Sequence, residues 1–168
     1  TGETLQVKQT VFDKHIAYSS GISSYTEIDT DYRLLITPAS TSNKILLFYE
    51  INMSVANATT VNFKIGRIIG GTTAMDINLG STTDAPRTPD GGVASFRGAQ
   101  AHSTGLWTEM CTHLFLDSPN TTSEITYLCH FIPYGSDRTV SFNNSVSDSA
   151  QYDDVIVTST ITAMEIVG

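Results

Sequence analysis

Charge is scarce in this chain. Asp, Glu, Lys and Arg make up 15% of its 168 residues, against about a quarter in an ordinary soluble domain. What charge there is leans acidic, with 17 carboxylates against 9 Lys and Arg and a net charge of -8. The few cations are scattered, which argues against nucleic acid as a partner, because affinity for a phosphate backbone comes from clustered Lys and Arg. Cysteine is nearly missing: Cys111 and Cys129 are the two present, too few for a disulfide framework. No apolar run is long enough to span a bilayer, so membrane insertion is not expected. Thr1–Thr10 has neither the basic start nor the apolar centre of a signal peptide. A protein of this kind working outside a cell would leave by another route, such as lysis, or would already have lost its leader.

Catalytic equipment is missing as well. There is no G-x-S-x-G, no glycine-rich phosphate loop after a strand and no H-E-x-x-H. Glycoside hydrolysis needs two carboxylates about 5–9.5 Å apart in a groove, and no such pair can be nominated from the sequence. Enzymatic activity and a cofactor are therefore not expected, and a hydrolase is the least favoured reading. No helix-period segment of useful length, internal repeat or linker is visible.

What is present is alternation. Hydrophobic residues reach 40%, and Ser, Thr, Asn and Gly fill the place of the missing charges. From Ile45 to Val55 every second residue is apolar: Ile45, Leu47, Tyr49, Ile51, Met53, Val55. Period two with β-branched and aromatic residues predicts a strand. Its other face begins apolar at Leu46 and Phe48 before turning polar, which predicts a central strand covered on both sides at one end. Around it the pattern predicts strands over Thr4–Val11, Tyr25–Asp29, Tyr32–Thr37, Ala74–Leu79, Val93–Phe96, Val140–Asn143, Val155–Thr158 and Ile161–Val167. Phe12–Ser24, Gly80–Gly92 and Ser145–Asp154 read as loops, and Gly70-Gly71 as a tight turn.

Two hairpins are predicted. One turns at Asn57–Thr60 and pairs Val55 with Val61, Met53 with Phe63 and Ile51 with Ile65. The other joins Leu106–Leu116 to Ser123–Ile132. Of two competing registers, the preferred one pairs Met110 with Phe131, Thr112 with Cys129, Leu114 with Tyr127 and Leu116 with Ile125, because it gathers one apolar face. The two thiols then point to opposite faces and cannot bridge. Many short strands separated by turns predict a single all-β domain, an antiparallel β-sandwich of jelly-roll-like type.

Candidate sites are weighed against plainer roles. In the preferred register Cys111, His113 and His130 share one face, and thiolate with imidazole suits Zn²⁺. The spacing matches no zinc-finger type, and Phe115 and Leu128 on the same face favour packing, so no metal is expected. Asp148 with Asp153-Asp154, or Asp29 with Asp31, could hold Ca²⁺, but neither has calcium-loop spacing and solvated acids are the simpler account. Arg87, Asp90, Arg97 and Trp107 lie in or beside the long loop region and are the candidate ligand-binding residues, Trp107 as an aromatic that can stack on a sugar or anchor an interface. The plainer reading makes Trp107 a rim residue over the core and the others solvated loop charges. Asn57-Ala-Thr59 and Asn120-Thr-Thr122 match the glycosylation sequon, a triplet that Thr-rich chains produce by chance. Leu46, Phe48, Phe115 and Leu128 are surplus outward apolar residues and predict a buried interface between subunits.

Five stretches in order, GETLQVKQT (Gly2–Thr10), ITPASTSNKILLFYEINMS (Ile36–Ser54), FLDSPNTTSEITY (Phe115–Tyr127), NNSVSDS (Asn143–Ser149) and TSTITAMEIVG (Thr158–Gly168), carry a resemblance. Together they resemble the recurring β-rich domain of structural proteins of tailed bacteriophages, marine and cyanobacterial phages especially, a domain found in tail fibres. The middle, Thr72–Gly105, matches least. The resemblance implies a β-sandwich module in a homo-oligomer, most often a trimer, located on the virion beside other virion proteins. It implies a non-enzymatic role, either receptor binding at a tail fibre, with a host surface glycan as one partner, or decoration of the capsid. The alternative from a different class is a free lectin-like carbohydrate-binding module, with Trp107 and the Asp84–Gly98 loop as its surface.

Overall fold

The structure is a computed structural model that describes residues 2–19, 21–56, 60–74, 77, 94–99, 108–135, 138–146 and 156–168. These residues form strands and no helix: β1 (Thr4–Phe12), β2 (Ile16–Tyr18), β3 (Thr26–Glu27), β4 (Leu34–Ile36), β5 (Lys44–Val55), β6 (Thr60–Ile69), β7 (Thr72–Ala74), β8 (Phe96–Ala99), β9 (Glu109–Asp117), β10 (Ile125–Pro133), β11 (Val140–Phe142) and β12 (Ser159–Ile166). All pairings are antiparallel and fall into two sheets.

In each sheet, consecutive short strands share one edge of a long strand. β12 pairs with Lys44–Glu50 of β5 and β11 continues along Met53–Val55, while β1 and β2 flank them in turn. β9 takes the opposite edge of β5. The first sheet is thus four positions wide: β1/β2, β12/β11, β5, β9. The second is β3/β4, β10, β6, β7/β8. Taking the eight positions in chain order, the first sheet reads 1-8-3-6 and the second 2-7-4-5. That is an eight-position jelly roll, so the expected all-β, antiparallel β-sandwich stands.

Alternation decides what lies between the sheets. Ile45, Leu47, Tyr49, Ile51, Met53 and Val55 are all fully buried, as are Val61, Phe63 and Ile65 of β6 and Tyr127, Cys129 and Phe131 of β10. Each apolar side chain of this size contributes about 1.5–3 kcal/mol when taken out of water. Aromatic rings interlock where the sheets meet: Phe131 lies 4.9 Å from both Tyr18 and Phe142. Those contacts explain β2, a strand inside a stretch expected to be loop; its three residues are fixed by what Tyr18 packs against. The irregular run 156–158 replaces the separate strand expected before β12.

Neither predicted hairpin exists. β5 and β6 lie in different sheets, as do β9 and β10. Val55, Met53 and Ile51 meet the core from one side and Val61, Phe63 and Ile65 from the other, so the predicted face was right and the predicted partner was not. Alternation specifies which side of a strand is buried, and two apolar faces satisfy it equally by pairing within a sheet or by facing across a sandwich. The Gly70-Gly71 turn does form a hairpin, joining β6 to β7, with φ of 56° and 80°.

Candidate functional site

β9 presents the opposite face to the core from the one expected. Its register on β5 places Ile51 beside Cys111, Tyr49 beside His113, Leu47 beside Phe115 and Ile45 beside Asp117. The face carrying Cys111, His113 and Phe115 therefore points inward, and the face expected inside, with Met110, Leu114 and Leu116, points out. Met110 is 62%, Leu114 59% and Leu116 45% exposed. The more hydrophobic face of the strand is the one turned to solvent.

The rest of the outward side of this sheet continues the pattern. One cross-strand row reads Val7, Met164, Leu46, Leu116, and the next Gln9, Thr162, Phe48, Leu114. Val11, Thr160, Glu50 and Thr112 follow, with Met110 beyond. Lys44 and Glu50 are the charged members of this face among the described residues, and Glu50 accepts a hydrogen bond from Thr160 Oγ1 at 2.7 Å. Between the rows lies an open apolar trough of about 460 Å³ lined by Leu46, Phe48, Leu114 and Met164 with Gln9, Glu50 and Thr162. Strands about 4.8 Å apart, with about 3.4 Å per residue along each, make the face roughly 20 Å by 20–25 Å. A monomer seldom leaves more than a few hundred Å² of contiguous apolar surface bare.

The outward side of the other sheet is different. Glu27 stands beside His130, and Arg33 grips Glu27 through Nε (2.6 Å) and Nη2 (2.8 Å). The Lys64 ammonium sits 4.7 Å above the Tyr25 ring. Arg97 donates from Nε to Asn62 Oδ1 at 3.0 Å. His130 is held below the ordinary imidazole range first by burial, with the charges of Arg33 and Lys64 adding and Glu27 opposing. On this side Leu128, Ile132 and Asn62 are buried and the charged groups are partly covered, and the contrast marks the bare β1–β12–β5–β9 face as the candidate interaction surface.

Leu46 and Phe48 lie at the centre of that surface. Phe115 faces inward and is half-buried against the core, off that surface, and Leu128, on the outward side of β10, is 1% exposed. Of the members that were missed, Met110, Leu114 and Leu116 were signalled by alternation along β9, Val7 and Val11 by weaker alternation along β1, and Met164 by its place in β12.

Cys111, His113 and His130 do not come together, because the shared face rested on the hairpin that does not form. Cys111 and His113 project into the sandwich from β9, and His130 lies on the outer side of the opposite sheet. The His113 ring stacks on Phe96 at 4.8 Å, and Phe96 stacks on Phe63 at 4.8 Å. Burial lowers the His113 pKa and pushes the Cys111 thiol up to about 11, with Glu109 adding to the latter. Cys129 is raised well above its ordinary value, again first by burial. Both thiols face the core rather than opposite sides, and both are free. Among the described residues no three of His, Cys, Asp and Glu are grouped as a metal requires. Asp29 accepts the Asp31 backbone N–H at 2.7 Å and Asp31 pairs with Lys14, a turn closed by its own side chains. Arg87, Asp90, Trp107, Asp148, Asp153 and Asp154 lie outside the described residues.

No family model matches the chain, and no curated protein matches it.

Proposed function

We propose that this chain is a non-enzymatic structural protein of a bacteriophage particle, displayed on the virion as a tail-fibre or receptor-binding domain or as a capsid-decorating protein, and that it works as a homotrimer. The observation that carries this reading is the orientation of β9. Burying Cys111, His113 and Phe115 while exposing Met110, Leu114 and Leu116 is unfavourable for a solitary chain, because it leaves the greasier face in water. It is favourable when sister copies cover that face, and then Val7, Leu46, Phe48 and Met164 are buried with it. Low charge on this face, in a chain of net charge -8, lets like copies approach without mutual repulsion. The bacteriophage assignment rests on the five ordered stretches given above. A jelly roll suits it, being a scaffold common in viral capsid and lectin domains. The test is immunogold electron microscopy of intact particles with an antibody to the purified chain. Gold at the tail tip or on the head supports the assignment, and gold at neither contradicts it.

The second reading, a lectin-like module, draws support from a polar cleft at the edge of the sandwich.

A further inference from the structure

Near the end of the sandwich, on the side bounded by β7 and β9, the apolar core gives way to a polar cluster. Arg67 of β6 and Asp117 of β9 both lie on inward faces and meet between the sheets. Arg67 Nη1 donates to Asp117 Oδ1 at 2.5 Å and to Oδ2 at 2.7 Å, and the Tyr127 hydroxyl donates to Oδ2 at 2.7 Å. The Asp117 side chain is 6% exposed and that of Arg67 23%. A guanidinium carries five N–H donors on three nitrogens, and these contacts use one nitrogen. The Tyr49 hydroxyl, fully buried, has no hydrogen-bond partner among the described residues. It lies close enough to Tyr127 and Asp117 for their charge to add to the burial that raises its pKa.

This largely buried pair forms part of the wall of an open cleft of about 680 Å³, lined by Arg67, Thr73, Asp117 and Ser118 on its polar part and by Ala74, Ile77, Phe115 and Leu116 on its apolar part. The volume is that of an ordinary small-ligand site. Its chemistry is selective. The Asp117 oxygens are already engaged and its charge cancels that of Arg67, so neither an anion nor a cation is favoured. Among the described residues, what remains are further Arg67 donors, the hydroxyls of Thr73 and Ser118, which both donate and accept, and the apolar surfaces of Phe115, Leu116 and Ile77. Donors and hydroxyls beside an aromatic ring match a ring that is rich in hydroxyls on its rim and apolar on one face.

From this juxtaposition we infer that the cleft between β7 and β9 binds a neutral hexose unit of a glycan. The site adjoins the β1–β12–β5–β9 face at Leu116, which belongs to both, and it differs from the loop surface expected from the sequence. Its failure and the failure of self-association are read by different measurements.

The test is saturation-transfer NMR on the full chain with the methyl glycosides of glucose, galactose, mannose and N-acetylglucosamine, and with methyl glucuronide as the charged control. Transfer to at least one neutral glycoside is expected. Ser118→Trp, at an exposed rim position, fills the cleft and is expected to weaken binding about tenfold or more, with the far-UV circular dichroism and the mass in solution unchanged. Arg67→Lys keeps a positive charge beside Asp117 but removes the guanidinium fork, and is expected to weaken binding by a similar factor. No transfer to any neutral glycoside, transfer to the glucuronide alone, or full binding by a folded Ser118→Trp chain would each overturn the inference. A monomeric wild-type chain that binds a hexose would sink the trimer reading and leave this one standing.

Discussion

Glu165 shows how a single residue ties the sandwich together. It is a fully buried carboxylate on the inward side of β12. Its Oε1 accepts from the Ala39 N–H at 2.6 Å and Asn43 Nδ2 at 2.7 Å, and its Oε2 from Gln6 Nε2 at 2.6 Å. β1, β12 and the approach to β5 are thereby joined at one point. Burial alone would raise its pKa, but the hydrogen bonds from Asn43, Gln6 and Ala39 together outweigh it and hold the group below its ordinary 4.5. A folded-state pKa below the unfolded one means that the unfolded chain binds more protons over that interval. Stability is then fully present above about pH 4.5 and is lost as pH falls through the folded value. Melting curves of the wild type from pH 7 to pH 3 should show that loss. Glu165→Gln should flatten the slope while lowering stability at pH 7 by about 1.5–3 kcal/mol, the range for hydrogen bonds to a charged group. The thiols make a second residue-scale prediction. Cys111 and Cys129 are buried with raised pKa values, so an aromatic disulfide reagent at neutral pH should label them slowly in the native chain and both at once in denaturant. Two equivalents labelled immediately under native conditions would contradict the placement of both side chains.

At the scale of elements, close approach between β8 and β9 is set by Gly98. A Cβ there would stand 2.4 Å from Cys111 Sγ and 2.5 Å from Met53 Cε. Gly98→Ala should therefore destabilise the fold by about 1–3 kcal/mol through overpacking, readable as a lower denaturant midpoint with an unchanged slope. An unchanged midpoint would mean that the edge strand does not press on the core. The same scale explains what could be read from residue order. β5 was legible almost to the residue, because its twelve residues carry an unbroken alternation and turn-rich chain precedes them. The turn at Gly70-Gly71 was legible, while the strand after it, expected from Ala74, starts at Thr72. β9 was not legible, because its more apolar residues, Met110, Leu114 and Leu116, are the ones turned outward. Periodicity then identifies a strand but leaves its orientation open, and the expectation that the greasier face is buried within the chain fails for β9. The order of strands in each sheet was hidden for a related reason: a connection that crosses between sheets has the same polar composition as one that turns back within a sheet. The central pair of the candidate surface, Leu46 and Phe48, was readable as apolar residues on the second face of β5, whereas Arg67 and Asp117 gave no sign in isolation and are brought together by the jelly-roll crossing.

Among the described residues the whole molecule is a sandwich with two unlike outer faces, one carrying Glu27, Arg33, Lys64 and His130 around buried Leu128 and Ile132, the other apolar, exposed and nearly uncharged. Its proposed role depends on the second. Leu114 is well exposed in the single chain, so Leu114→Glu should leave the fold intact while placing like charges against one another wherever copies meet. The expected outcome is a shift to single chains at micromolar concentration, with the β-sheet circular dichroism spectrum retained. Thr73→Glu, on an exposed edge strand away from that face, should leave the assembly unchanged. The most direct measurement is the mass of the wild-type protein by sedimentation velocity over the micromolar range. A species of three times the 18.2 kDa chain mass is predicted; a single species of 18.2 kDa at every concentration would contradict the account.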